Sequence, residues 1–446
     1  MTVEIGLRAA LLAGRTRLSV WGGGYIGLST AINYASHGVR CRVHDIDPAR
    51  VEEIRAGRSG LPLFEEWIGI PLAPLVRAGL IEATTETVEE SRAVHVLAVP
   101  TERDGAPWAE PLDTVAAHVM RTDPALCVIE STATPGTCDA LADVHPGIPL
   151  VVAPRRDWFL GEARRTRELP RVHAALREDL SDAAEDVLSI VSDHLLRASS
   201  CGVAELTKCL ENGLHHMAAL YATQIARAFP GHDVNEAFAL ASSHWRVQNT
   251  YFASAGTGGH CLPVATRHLL EAGDATVLTL LAEGWKFEAD QRDYVAALLS
   301  GEASGAVGIL GLSYRADIPT TTLSPFLDVA DRIAGLGRAV LVHDPYCGES
   351  IAQDHPALGQ GDFHEILRSC GRIFLGAPHR LYRSLTAEDV VMFMRPGQVV
   401  LDNEGGWSHL RAAFESAGVL YRRIGDAGWS EPVPTSLSWS PFHDGR

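Results

Sequence analysis

Lysine is almost missing from this sequence. Of its 38 basic residues only Lys208 and Lys286 are lysine; all the others are arginine. Where arginine fills nearly every basic position, a surviving lysine suggests a task for a compact, titratable ammonium, which a planar and permanently charged guanidinium cannot perform. Paired cysteine spacing is missing too. The eight cysteines include no Cys-x-x-Cys, so neither a zinc ribbon nor a disulfide framework is signalled, and no metal centre is expected. Cys41, Cys127 and Cys370 sit in or beside apolar segments and read as buried, reduced thiols of a cytoplasmic protein. No apolar run approaches the roughly 20 residues of a membrane helix. The first residues lack a basic leader and an apolar core, so no signal peptide is expected. An excess of positive charge is absent as well. A net charge of −17 repels phosphate backbones and argues against nucleic acid as partner, while leaving room for a small phosphate-bearing ligand at a local site.

What is present is an alternation of strands and helices. With 446 residues the chain is too long for one core. Short β-branched runs at 17–22, 39–45, 93–99, 127–131 and 149–154 read as buried parallel strands. Helical patterns at 26–37, 49–56 and 112–121 lie between them. This is the signature of a doubly wound α/β sheet. From 180 to 300 the strand signal fades, and 203–228 and 276–299 carry apolar residues at helical spacing. Between these helices, 248–263 is rich in Gly, Ser, Thr and aromatics, a long irregular stretch of the kind that usually serves function. Strand patterns return at 307–312, 339–344, 372–377 and 398–402. The expected architecture is therefore two Rossmann-like doubly wound domains joined by a helical middle with a long central helix. The expected segments are 1–200, 201–300 and 301–446.

Gly22-Gly23-Gly24-Tyr25-Ile26-Gly27 fits G-x-G-x-x-G, follows an expected strand and opens an expected helix. Asp45 ends the next strand at the spacing of the dinucleotide fingerprint. The glycines allow a tight turn and close approach to a pyrophosphate, which the helix N-terminus then holds. Asp45 would bind the adenosine ribose and repel a 2′-phosphate, favouring NAD over NADP. Val99-Pro100-Thr101 and Ser131-Thr132 stand at carboxyl ends of strands, where open α/β sheets bind ligands. Glu205, Lys208 and Asn212 share a helix face, and a Lys–Asn pair one turn apart can steady an oxyanion or a water. Cys261, in Gly258-Gly259-His260-Cys261-Leu262-Pro263, sits in a glycine-rich turn where a thiolate can be activated.

The ordered motifs GGGYIGLSTA, VPT, STATPG, AELTKCLEN, GTGGHCLP, GLSYRADIPTTTLSP and VHDP resemble the UDP-glucose, UDP-N-acetylmannosamine and GDP-mannose dehydrogenase family over essentially the whole chain. Their spelling is most similar to the N-acetyl-hexosamine branch. The resemblance implies oxidation of a sugar C6 alcohol to a carboxylate in two hydride transfers, with NAD as cofactor, a UDP-linked sugar as substrate and a homodimeric assembly. It assigns Cys261 as the nucleophile, Lys208 and Asn212 to the C6 oxygen and a water, and Thr132 to the same water. Cofactor contacts fall on Gly22, Gly24, Tyr25, Ile26, Gly27, Asp45, Arg50, Val99, Pro100, Thr101, Ser131 and Thr132. Substrate contacts fall on Trp158, Phe159, Leu160, Lys208, Asn212, Tyr251, Phe252, Gly258, Gly259, His260, Tyr314 and Arg315.

Three positions depart from the family. Its aspartate four residues after the cysteine is Ala265 here. Its Pro-Glu segment reads Pro154-Arg155-Arg156-Asp157, so Arg155, Arg156 or Asp157 stands where a catalytic glutamate is usual, and Asp157 is the carboxylate that can substitute. Its Arg-Glu-Ser-Pro reads Thr322-Leu323-Ser324-Pro325. Lost acid/base groups each typically contribute about 10²–10⁴-fold. Three readings therefore stand: a four-electron UDP-sugar dehydrogenase, an altered enzyme that stops at the aldehyde or takes an unusual nucleotide or nucleoside sugar, and a binding protein without catalysis.

Overall fold

A computed structural model of the chain describes residues 6–87, 91–156, 167–247, 251–301 and 305–430. The chain divides into two compact units, Met1–Gly213 with Val264–Ala275 and Leu214–Pro263 with Thr276–Arg446. The segment 201–300 contributes to both.

The first unit is built on β1 (Leu18–Trp21), β2 (Cys41–His44), β3 (Ile81–Thr84), β4 (Val94–Leu97), β5 (Leu126–Ile129), β6 (Leu150–Val152), β7 (Arg171–Ala175) and β8 (Leu195–Arg197). Across the sheet they run β3-β2-β1-β4-β5-β6-β7-β8. Every pair is parallel except β6–β7. The order 3-2-1-4-5-6 is that of a dinucleotide-binding sheet. Strand order reverses between β1 and β4, which opens a crevice at their carboxyl ends. β1, β4 and β5 are buried along their whole length, which explains their nearly unbroken apolar spelling. Helix α1 (Tyr25–Ala35) follows β1. Helix α2 (Pro48–Arg55) starts at Asp47, whose side chain accepts the Ala49 N–H, with proline at the first position. Helix α3 (Thr137–Val144) follows β5.

β7 and β8 do not announce themselves in the sequence. β7 spells Arg-Val-His-Ala-Ala, yet Arg171 and His173 are both buried. A charged side chain is tolerated there because it is paired, as described below.

The second unit repeats the plan with β9 (Val307–Leu310), β10 (Val340–His343), β11 (Gly359–Gln360), β12 (Arg372–Leu375), β13 (Val399–Asp402) and β14 (Leu420–Arg423). Their order is β11-β10-β9-β12-β13-β14, all parallel, so a second reversal lies between β9 and β12. Helix α4 (Cys201–Ala228) is a continuous 28 residues. It is followed by α5 (Leu262–Ala272), α6 (Thr279–Leu299) and α7 (Pro325–Gly335). The Ser324 hydroxyl caps α7 by accepting the Phe326 and Leu327 N–H groups. Val295, Leu299, Val307, Ile309, Phe326 and Ile333 pack α6 and α7 onto the sheet. Residues 251–261 form neither helix nor strand, as their composition predicts.

Candidate active site

At the crevice of the first unit, Gly22 has φ +99°, and a Cβ there would come 2.6 Å from the Ala98 carbonyl oxygen. A Cβ on Gly27 would stand 1.9 Å from the Gly22 carbonyl oxygen, so any larger residue would push α1 off β1. Gly24, at the N-terminus of α1, has nothing within 4 Å of its Cβ position, and no side chain caps the helix. The uncapped helix N-terminus and the open space make a cradle for a pyrophosphate. Asp45 accepts the Gly23 N–H at 2.7 Å and the Asp47 N–H at 2.9 Å, which fixes its carboxylate beside the turn. Arg50 donates from Nε to the Gly23 carbonyl at 2.7 Å. Its Nη2 is buried with no hydrogen-bond partner among the described residues. These groups fit NAD.

The turns after β4 and β5 are laced together. Thr101 Oγ1 donates to the Thr132 carbonyl, and Ser131 Oγ donates to the Val99 carbonyl at 2.7 Å. Both hydroxyls spend their proton on the backbone and keep lone pairs for a ligand.

The helix-face trio of Glu205, Lys208 and Asn212 separates by role. Lys208 Nζ lies 3.5 Å from Asn212 Oδ1, a long contact between groups one turn apart on the same helix. Glu205 turns away. Only 3% exposed, it accepts the N–H groups of Gly136 (2.7 Å) and Cys138 (2.9 Å) at the start of α3. Burial pushes its carboxyl up to about 7, although the two N–H groups favour the ionised form. A carboxyl with a raised pKa stabilises the fold most below its unfolded value near 4.5. That contribution is lost as the pH climbs through about 7, a change of about 3 kcal/mol. Relative to Glu205→Gln, wild-type stability is expected to fall between pH 4.5 and 7.5 in denaturant titrations. Parallel pH profiles for the two proteins would refute this.

The three candidates for the missing glutamate also separate. Arg155 points inward. Its guanidinium lies 3.6 Å from Glu130 and donates to the hydroxyls of Thr30 and Ser29 on α1, the latter at 3.1 Å. Glu130 also pairs with Arg171 and accepts from Thr30 Oγ1. Arg155 is therefore part of a buried charge cluster. Arg156 pairs with Glu211 on α4 and donates to the Pro170 carbonyl at 2.7 Å. Asp157, Trp158, Phe159 and Leu160 lie outside the described residues.

In the second unit, Cys261 is exposed, whereas the other seven cysteines of the chain are buried. Its loop is held by a buried polar network. Thr257 donates from N and Oγ1 to Glu288, both at 2.6 Å, and its Oγ1 lies 2.9 Å from His216 Nδ1. Arg292 donates to the Thr257 carbonyl at 3.1 Å and pairs with Asp328 at 3.0 Å. Gln291 holds the Ser254 carbonyl at 2.9 Å. Asn403 accepts the Ala255 N–H at 2.8 Å. Sequence reasoning missed all of these anchors, since each is contributed from far along the chain. A Cβ on Gly259 would come 2.5 Å from the Tyr314 ring, so the loop rests on that ring.

Asp344, at the end of β10, accepts the N–H groups of Leu312 (2.7 Å) and Ser313 (3.0 Å), which fixes the turn bearing Tyr314 and Arg315. Burial alone would raise the Asp344 carboxyl, but His379 and the N–H groups of Tyr346 and Ser313 hold it well below the usual range. Burial lowers the Arg315 pKa, while Glu404, Tyr314 and Cys261 act electrostatically to raise it. The fold thus gathers Cys261, Tyr314 and Arg315 within one unit. Tyr251 meets His215 edge-on at 5.8 Å between ring centroids. Phe252 lies under the Arg423 guanidinium at 4.5 Å. His260 lies in the same loop and is exposed.

The chain matches three domains of one family: the NAD binding domain over residues 16–146, the central domain over 202–283 and the UDP binding domain over 308–408. Relatives include the UDP-N-acetyl-D-mannosamine dehydrogenases of Methanococcus aeolicus and Pyrococcus horikoshii. The first is 24% identical and aligns over 92% of this chain and 95% of its own. The second is 26% identical, over 86% and 94%. The structure of a UDP-glucose dehydrogenase from Pyrobaculum islandicum shares the fold, with a TM-score of 0.78 at 22% identity, covering 92% of this chain and 98% of that one. With the dinucleotide cradle, the second parallel sheet and all three domains in order, the chain belongs to the UDP-glucose/GDP-mannose dehydrogenase family and is an NAD-dependent nucleotide-sugar dehydrogenase.

Proposed function

We propose that this enzyme oxidises the C6 alcohol of a UDP-sugar, of the UDP-N-acetylhexosamine or UDP-glucose type, to the carboxylate through covalent intermediates on Cys261. The names of its relatives support the UDP-N-acetylmannosamine type. The observation that carries the reading is the exposure of Cys261 in a loop that rests on the Tyr314 ring and is fixed by buried polar groups. NAD, held by the Gly22–Gly27 turn and Asp45, supplies the hydride acceptor.

The chemistry requires a nucleophile because an aldehyde has no hydride to give until it becomes tetrahedral. The Cys261 sulfur adds to the C6 aldehyde to form a thiohemiacetal. Loss of a hydride from that carbon leaves a thioester. Water then attacks the thioester, releasing the carboxylate and returning the thiol. Lys208 and Asn212 steady the C6 oxygen and orient the water together with Thr132. Arg315 offers positive charge to the oxyanions. A second reading, arrest at the aldehyde, is favoured by Ala265 and by the inward turn of Arg155, since neither position supplies an acid or base.

We further propose a homodimer in a reducing, cytoplasmic setting. Val203, Leu206, Leu210 and Leu214 are exposed at helical spacing on α4, as a helix face awaiting a partner. None of the eight cysteines is in a disulfide. Among the described residues no helix is long and apolar enough to cross a membrane.

The test is NADH release against UDP-, GDP- and dTDP-hexoses. Two NADH per UDP-sugar is the expected result. One NADH per sugar would establish the second reading, and no turnover on any UDP-sugar would sink both.

A further inference from the structure

The turn that carries Tyr314 and Arg315 follows β9, at the carboxyl edge of the second sheet, where open α/β sheets take their ligands. A carboxylate braces each end of it. At the start, one oxygen of Asp344 accepts the N–H groups of Leu312 (2.7 Å) and Ser313 (3.0 Å) and the Ser313 hydroxyl (3.1 Å). The other oxygen accepts the N–H groups of Tyr346 (2.8 Å) and Cys347 (3.0 Å). At the far end stands Asp317, whose φ of +62° lies in the left-handed region that a residue with a Cβ seldom adopts. Such a backbone persists only where its surroundings hold it. The Asp317 carboxylate accepts the Arg380 N–H at 2.6 Å and pairs with Arg383 at 3.0 Å.

One side chain joins the two ends. His379, in the turn after β12, is fully buried. Its Nδ1 accepts the Asp317 N–H at 2.8 Å, which leaves the ring proton on Nε2, 3.1 Å from Asp344 Oδ2. The Tyr346 ring meets the imidazole edge-on at 5.0 Å between centroids. A rigid ring that accepts on one side and donates on the other thus spans the turn, with Tyr314 and Arg315 between its two anchors. The substrate loop rests on the same turn. A Cβ on Gly258 would come 3.0 Å from the Tyr314 Cβ, and one on Gly259 would come 2.5 Å from the Tyr314 ring. Any shift of the turn moves Arg315 and the support under that loop together.

We propose that His379 is a positioning residue: by tying Asp317 to Asp344 it fixes Tyr314 and Arg315 in the geometry that binds the nucleotide-sugar. This rests on the reading above, in which Tyr314 and Arg315 face the substrate.

The experiment is calorimetric titration of the full-length protein with UDP and, separately, with NAD, using wild type, His379→Asn, His379→Gln and His379→Leu below their melting temperatures. Gln398→Leu is the control for general damage. Gln398 is buried in the same unit, but it lies at the amino end of β13 and donates to the Leu367 and Cys370 carbonyls at 2.8 and 2.6 Å. UDP is expected to weaken about tenfold or more in His379→Leu, which loses both bonds. It is expected to weaken about threefold in the Asn and Gln variants, each of which can keep one bond, the scale of a single neutral hydrogen bond. NAD is expected to stay within about twofold throughout, because its cradle lies in the first unit, and Gln398→Leu should leave UDP within about twofold. Unchanged UDP binding in the His379 variants, an equal loss in Gln398→Leu, or an equal loss for NAD would overturn the proposal. Should His379→Leu fail to fold, the Asn and Gln variants decide alone: weaker UDP in either supports the proposal, and wild-type affinity in both overturns it. A wild type that binds UDP but releases no NADH with any UDP-sugar would overturn the proposed function, while the UDP titrations still decide the role of His379.

Discussion

Cys261→Ser is expected to reduce steady-state NADH formation by about a thousandfold or more while leaving the fold intact. Loss of a covalent nucleophile in other enzymes reaches about 10⁶-fold, so this figure is conservative. Serine is close to isosteric with cysteine, and the position is exposed, so packing is scarcely altered. A hydroxyl without a strong adjacent base is a far weaker nucleophile than a thiolate. The first hydride leaves from the alcohol carbon and needs no thiol. The second leaves from a tetrahedral adduct and does. A rapid-mixing experiment on the variant is therefore expected to show one NADH per site at most, followed by a stalled steady state. Two NADH per sugar at the wild-type rate would remove Cys261 from the mechanism.

The parts of this protein legible in the sequence were those built from local pattern. A strand buried on both faces has to be apolar along its length, so β1, β5 and β9 could be read directly. The glycines of the 22–27 turn are set by contacts with residues a few positions away or on the adjacent strand, and their spacing predicted the cradle that is found. The irregular 251–261 loop followed from composition alone. Elements stabilised by distant partners were not legible. β7 carries Arg171 and His173, and only the buried Glu130 explains why an arginine belongs there. Glu205 looked like a neighbour of Lys208 because one helix face holds both, but the start of α3 claims its carboxylate.

Arg155→Glu is expected to destabilise the first unit rather than restore a catalytic carboxylate. The family places a glutamate at or beside this position, so the substitution looks like a repair. The structure argues the opposite. Arg155 and Glu130 are almost fully enclosed, and Arg171 shares the same carboxylate. A second carboxylate there would face Glu130 with one arginine left for both. Ser29 and Thr30 would lose their cationic donor. Removing one partner of a buried ion pair typically costs about 3–5 kcal/mol. At about 2–4 °C per kcal/mol for a unit of this size, the melting temperature should fall by on the order of 10 °C. Glu130→Gln is expected to show a loss of the same order, because it strands two arginines instead of one carboxylate. Because Ser29 and Thr30 lie on α1, the helix that opens the cofactor cradle, NAD should weaken in step with stability, and added NAD should raise the melting point of both variants less than that of wild type. Differential scanning calorimetry with and without NAD checks this. An Arg155→Glu protein with unchanged melting and faster thioester hydrolysis would show that this side chain faces the substrate after all.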